Sequence, residues 1–335
     1  MPDKKIALVW FKTNLRLRDN ECLIRALEEN DEVVPFYCLE NELLATTIFG
    51  FKKTGNIRLK FLKESLQQLD EDLRKAGSGL VLLYGITEEQ VFTLAQIHRA
   101  QRIYAEKEVA PEELRLQKKV ADALMPLNCE FKTFECRNLF HTADLPYSIT
   151  QLPEVFTEFR KKTENIVTVR NIFPKPIIIP SPPIENLNLS AIAIDVEADP
   201  RAVIAFNGGA FAAHERLQHY FYDTRALSTY KDTRNGMIGA DYSSKFSAWL
   251  AMGCISPKEI YEEVKSYEQK FRANESTYWL IFELLWRDYF GFCMEKDARR
   301  YFQKAPALTS TDGLEKWIEG RTREPFIDAN MIELN

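Results

Sequence analysis

The stretch Tyr278–Met294, YWLIFELLWRDYFGFCM, carries charge only at Glu283, Arg287 and Asp288. A helix that is apolar nearly all round is predicted to be buried. Glu283, Trp286, Arg287 and Phe290 fall at i, i+3, i+4 and i+7, hence on one face of it. A carboxylate and a guanidinium on a buried aromatic face cost stability unless they are paired or used. Spacing by itself favours the plainer account, an i,i+4 ion pair between Glu283 and Arg287 that satisfies itself. The sharper account is a polar ligand that needs one acceptor and one cation beside aromatic surface.

A second constellation lies in Tyr230–Ser247, YKDTRNGMIGADYSSKFS. Gly236 and Gly239 permit a tight loop. Ser243, Ser244, Lys245 and Ser247 then open the next predicted helix. Hydroxyls, free backbone N–H groups and a lysine at a helix start form a ready anion site. An ordinary capped helix start uses the same residue types. Together the two stretches point to a cofactor that is both phosphate-bearing and aromatic.

The elements that must position these residues fall into three regions. Residues 4–136 alternate strand-like and helix-like runs: strand Ile6–Phe11, helix Asn20–Glu29, strand Val33–Leu39, helix Ile57–Ala76, strand Leu80–Tyr84, helix Glu88–Ala100, strand Arg102–Ala105, helix Pro111–Leu124 and strand Cys129–Phe134. Strict alternation predicts an α/β domain, a doubly wound five-stranded parallel sheet with helices on both faces. No Gly-x-Gly-x-x-Gly follows the first strand, and Gly77-Ser78-Gly79 ends a helix, which excludes an ordinary NAD site. Residues 137–208 read as a connector, with Pro174, Pro176, Pro180, Pro182 and Pro183 stiffening extended chain over the surface. From 209 to 335 only helical patterning is present, at Ala210–Phe221, Ser247–Leu250, Pro257–Tyr267 and Ser276–Met294.

A length of 335 residues, 45% hydrophobic and 28% charged, is that of a globular chain able to bury two cores. The net charge of −5 neither requires nor excludes a nucleic-acid partner, since a basic face can sit on an acidic protein. The opening apolar run, Ile6–Phe11, is too short for a signal peptide or a membrane span. Six dispersed cysteines with no C-x-x-C pair read as reduced thiols of a cytoplasmic protein. The four histidines share no metal-ligand spacing with them, so no metal is expected. His214 and His219 read as a surface and a packed residue of one helix.

Several long motifs resemble the photolyase and cryptochrome family, in its DASH branch. They are Trp10–Asn20 (WFKTNLRLRDN), Arg58–Leu69, Glu106–Glu113 (EKEVAPEE), Asp144–Glu164, Tyr230–Val264, Asn274–Phe290 and Phe326–Asn335. The resemblance implies an N-terminal α/β antenna domain and a helical domain that binds FAD. It implies that Tyr230, Ser243, Ser244, Lys245, Phe246 and Ser247 hold the flavin's phosphates and ribityl chain, and that Arg287 lines the flavin pocket. Glu283 would hydrogen-bond a pyrimidine carbonyl and Trp286 would pack on a flipped dimer. Glu108 would contact an antenna, 5,10-methenyltetrahydrofolate. The implied activity is light-driven splitting of cyclobutane pyrimidine dimers in single-stranded DNA by a monomer. The alternative is a non-catalytic blue-light photoreceptor using the same pocket.

The chain departs from the family pattern at four places. Asn14 stands where the family usually has Asp, Arg18 where it has His, and Arg323 where a turn usually has Gly. Ala307 occupies the neighbourhood of the outermost tryptophan of the family's electron chain. The family also continues past the position of Asn335 through a Met-Ser-Asn-Arg-Gly-Arg-Gln motif and the residues on the flavin's adenine side. The resemblance therefore implies an incomplete all-α flavin-binding domain over 209–335.

Overall fold

The computed structural model describes residues 4–47, 50–190, 192, 194, 196, 199–302 and 311–334. Ala307 lies outside the described residues. Five parallel strands, β1 (Ile6–Trp10), β2 (Glu32–Glu40), β3 (Val81–Gly85), β4 (Arg102–Glu106) and β5 (Glu130–Phe134), form one sheet in the order β3-β2-β1-β4-β5. The helices between them are α1 (Glu21–Glu29), α2 (Asn41–Leu44), α3 (Asn56–Lys75), α4 (Thr87–His98) and α5 (Pro111–Leu124). The predicted elements are present with ends shifted by one or two residues, as fraying helix termini allow.

Alternation along the strands sends successive side chains to opposite faces. Leu8, Trp10, Val34, Phe36, Ile103 and Ala105 pack with Val91, Leu94 and Val120 of α4 and α5. Ala7, Val9, Tyr37, Leu39 and Tyr104 face the other way, into a core that continues through α3 to Phe246, Trp249, Leu284 and Phe292. The apolar face of the sheet thus shares its core with the helical region. Contacts group residues 1–296 as one unit and 297–335 as a second.

The connector carries one helix, α6 (Phe156–Thr163). Its proline-rich stretch is pinned at intervals, with the Ile179 N–H donating to Ala76 O at 2.7 Å and the Val33 N–H to Pro180 O at 2.8 Å. Ile179 is fully buried whereas Ile177 and Ile178 stand in solvent. The helical region comprises α7 (Ala210–Gln218), α8 (Tyr230–Thr233), α9 (Ser247–Met252), α10 (Pro257–Lys270) and α11 (Glu275–Tyr301). The predicted helix through Phe221 instead loosens into a π-turn over His219–Asp223. Ser256 and Glu259 close a capping box at the start of α10. Non-helical backbone at Asp297 breaks α11 at the boundary of the second unit.

In that second unit, α12 (Thr311–Ile318) and α13 (Pro325–Leu334) are joined by a turn in which Arg323 takes φ +72°. The turn therefore does require the left-handed backbone that a glycine would supply without strain. Asp328 holds it, accepting from the N–H groups of Thr322 at 2.7 Å and Arg323 at 3.0 Å.

Candidate functional site

The strand order reverses between β1 and β4, and crevices at the carboxyl ends of such strands are where open α/β sheets bind ligands. A cavity of about 750 Å³ lies there, lined by Lys12 and Thr13 after β1, Glu40 at the end of β2, Gly85 of β3, Glu108 after β4, and Arg137. Glu108 is almost fully buried. Lys12 Nζ lies 3.1 Å from its Oε1, and Arg137 Nη2 donates to its Oε2 at 3.0 Å. Glu106, equally buried, accepts from Thr13 Oγ1 at 2.9 Å and from Arg137 Nε at 3.3 Å. Glu106 and then Glu108 hold the Arg137 guanidinium well above its ordinary pKa, against the opposing effect of burial. Arg137 and Thr13 escaped the sequence reading because their partners are about 30 and 90 residues away.

The second constellation meets on the helical side. α11 buries Leu280, Leu284, Leu285, Asp288 and Phe292 and leaves Glu283, Trp286 and Arg287 half-buried, with Phe290 60% exposed. The helix is thus uniformly apolar in sequence but one-sided in burial, which corrects the expectation that it is enclosed all round. The expected Glu283–Arg287 pair is also corrected. Glu283 Oε1 pairs with Arg234 Nη1 at 2.8 Å. Arg287 instead donates to Arg137 O at 2.5 Å and to Leu250 O at 3.4 Å. Each side chain finds a partner on a neighbouring element, which a single-helix spacing argument cannot see. Burial pushes the Arg287 pKa down, partly offset by Asp288.

Asp288 is fully buried and takes the N–H groups of Leu139 at 3.0 Å and Phe140 at 2.8 Å. Burial pushes its carboxyl pKa up to about 7 against those two donors. Arg287 and Asp288 together clamp residues 137–140, the segment whose Arg137 side chain enters the first cavity. Trp286 stacks on Phe156 of α6, centroids 3.6 Å apart and rings 14° from parallel, and on Phe290 at 5.4 Å.

Tyr230 is buried, which pushes its phenol pKa up to about 12, and the Ser244 side chain is its hydrogen-bond partner. Ser243, Ser244, Lys245 and Phe246 form a loop and only Ser247 lies in α9, so the expected helix start is mostly non-helical. Lys245 takes φ +62°, and its ammonium rests 3.5 Å from the centre of the Tyr242 ring. The structure therefore brings Tyr230, Ser244 and Glu283 into one neighbourhood and places Glu108 in the other. Among the described residues, no cluster of three or more His, Cys, Asp or Glu could hold a metal, and no helix is long and apolar enough to cross a membrane.

A model of the DNA photolyase family matches residues 7–180. Over 341 residues the chain is 43% identical to the cryptochrome DASH of Synechocystis sp., a match covering 98% of this chain and 70% of that protein. The crystal structure of the Synechocystis sp. PCC6803 cryptochrome aligns with a TM-score of 0.91 at 42% identity, over 100% of this chain and 72% of that one. An archaeal photolyase from Sulfolobus tokodaii, solved with two FAD molecules, shares the fold with a TM-score of 0.70 at 23% identity, over 98% and 70%.

Proposed function

The chain belongs to the DNA photolyase family, in its cryptochrome DASH branch, and from that premise we propose that it serves light-driven repair of cyclobutane pyrimidine dimers in single-stranded DNA, with FAD held on the helical side. The observation that carries the proposal is the half-exposed Glu283, set beside the exposed Phe290 and the stacked Trp286 on one open face of α11. A carboxyl next to open aromatic surface suits a flipped base, which needs a hydrogen bond at its polar edge and stacking on its face.

The residues present fit the diphosphate and ribityl part of a flavin dinucleotide. Ser243, Ser244, Lys245, Phe246 and Ser247 offer hydroxyls and amides to its phosphates, Tyr230 backs them, and Arg287 borders the pocket. When bound, FAD supplies the light-driven one-electron chemistry. The chain's own residues bind, orient and exclude water. Arg234 fixes the Glu283 carboxylate through Oε1, and no other donor among the described residues reaches it. Oε2 is thereby left free: as the protonated acid it donates to a pyrimidine carbonyl, and as the carboxylate it accepts from a ring N–H. Phe156 holds the Trp286 indole in one plane for packing on the dimer.

The cavity at the sheet edge is proposed to take 5,10-methenyltetrahydrofolate near Glu108. Arg58 and Arg115 on its wall suit an anionic folate tail, whereas Lys53 and Lys119 there are paired with Glu112 and Glu88. The archaeal relative with two FAD molecules supports a second chromophore in this fold.

The test is Glu283→Gln, read by melting temperature and by light-dependent dimer repair at matched flavin content. Both partners of the Glu283–Arg234 pair are about 30% exposed, so its loss should cost no more than about 1 kcal/mol. Repair should fall while folding and flavin binding hold. A large fall in melting temperature with unchanged repair per folded molecule would reduce Glu283 to a structural residue and favour the photoreceptor alternative.

A further inference from the structure

We propose that Arg216 is the positioning residue of the 240–247 loop. It turns the loop's carbonyls inward and so presents the opposite N–H groups to a diphosphate. The proposal rests on the reading above that this loop holds the flavin's phosphates.

Arg216 sits in the last turn of α7 with its side chain only 7% exposed. Its Nε donates to Ser244 O at 3.0 Å, its Nη2 to Ala240 O at 3.1 Å and Ser243 O at 3.0 Å, and its Nη1 to Asp241 Oδ1 at 2.6 Å. The guanidinium lies 5.1 Å from the centre of the buried Tyr220 ring, which fixes its plane. A planar trans peptide points its N–H opposite its carbonyl. The inward carbonyls of residues 240, 243 and 244 therefore aim the amides of Asp241, Ser244 and Lys245 away from Arg216. No described residue accepts a hydrogen bond from any of these three amides.

Left-handed Lys245 at φ +62° is followed by right-handed Phe246 at φ −72°, ψ −10°. Successive residues of opposite hand form an anion-binding concavity of converging amides. A lysine in this conformation persists only where its surroundings over-determine it. Arg216 supplies that constraint by gripping the two carbonyls just before Lys245. It also answers a charge that would repel an anion. Both Asp241 oxygens are engaged, Oδ1 by Arg216 and Oδ2 by His219 Nε2 at 3.1 Å. Lysine could match the charge of Arg216 but not its fork of donors.

The test uses this chain with inorganic pyrophosphate as probe, and trypsin cleavage after Lys245 as a ligand-free report on loop order. In Arg216→Lys, cleavage should accelerate and pyrophosphate affinity fall, each by about tenfold or more, at an unchanged folded fraction. Adding flavin is unnecessary. If Lys preserves both, charge alone suffices and the proposal is overturned. If Arg216→Lys does not fold, Asp241→Asn decides by trypsin cleavage. It removes the ionic anchor at a side chain that is 35% exposed, so cleavage should accelerate by a smaller factor, and an unchanged cleavage rate would overturn the proposal. A wild-type loop that resists trypsin until Arg216 is changed, yet never binds pyrophosphate, would leave Arg216 as a loop clamp and remove the phosphate reading.

Discussion

At the carboxyl edge of the sheet, Glu106 and Glu108 are buried and already answered by Arg137, Lys12 and Thr13. On the helical side, the amides of Asp241, Ser244 and Lys245 have no acceptor among the described residues, and Glu283 has one cation on one oxygen. The first region satisfies itself, so a ligand there must exchange with existing ion pairs. The second is held open by groups that stand behind it, so a ligand there completes it. Stability should therefore be concentrated in the first region and ligand affinity in the second, and substitutions can break that division.

The largest effect is expected from Arg137→Ala. It takes the shared cation from two carboxylates whose side chains are 1% and 2% exposed, leaving Glu108 with Lys12 and Glu106 with only the Thr13 hydroxyl, and breaking a buried ion pair costs about 3–5 kcal/mol. Urea denaturation measures it, and a loss below about 1 kcal/mol would show that the two regions do not differ in this way.

Asp288→Ala should come next. It leaves the N–H groups of Leu139 and Phe140 buried without acceptors, at about 1–3 kcal/mol each before relaxation. The pH dependence carries a sign. Burial raises this carboxyl from 3.8 to about 7 in the folded protein, so the fold holds its proton more tightly than the unfolded chain does. Its contribution is most favourable below about pH 4 and is lost as pH rises towards 7. Stability measured across that window should flatten in Asp288→Ala.

The smallest effect is expected at the pair between α7 and α10. Hydrogen bonding to Glu259 raises the His214 pKa above 6.5. Burial opposes ionisation of Glu259, but His214 and Arg16 hold it below 4.5. Arg18 also faces Glu259, at 3.8 Å. The His214 contribution is present below pH 6.5 and lost as pH rises through its higher folded value. The Glu259 contribution is lost as pH falls through its lower one. His214→Gln should thus cost most between about pH 5 and 6. With His214 43% exposed, solvent screening limits the cost to a few tenths of a kcal/mol. Melting curves taken at pH 5.5 and 8 separate the two conditions.

How much of this was legible in the sequence follows the same division. The strands are buried on both faces, so near-continuous apolar runs mark Ile6–Trp10 and Glu32–Glu40 without knowledge of their neighbours. The face of α11 bearing Glu283, Trp286 and Arg287 was legible from helical periodicity. The partners were not. Arg234 reaches Glu283 across 49 positions, and Arg216 organises residues 24 to 28 positions ahead of it. Long-range pairing leaves no periodic trace. The left-handed turn at Arg323 was legible only through the resemblance, where a glycine is usual, and φ +72° bears that out.

Repair itself is read by dimer loss from a single-stranded oligonucleotide carrying one thymine dimer. The protein, loaded with FAD and chemically reduced, is mixed with it and exposed to blue light, and intact thymines are counted by chromatography. Dimers should disappear in light and persist in darkness, with Glu283→Gln slowing the loss. Protein that holds flavin and binds the oligonucleotide, yet leaves the dimer intact under light, would contradict the proposed repair.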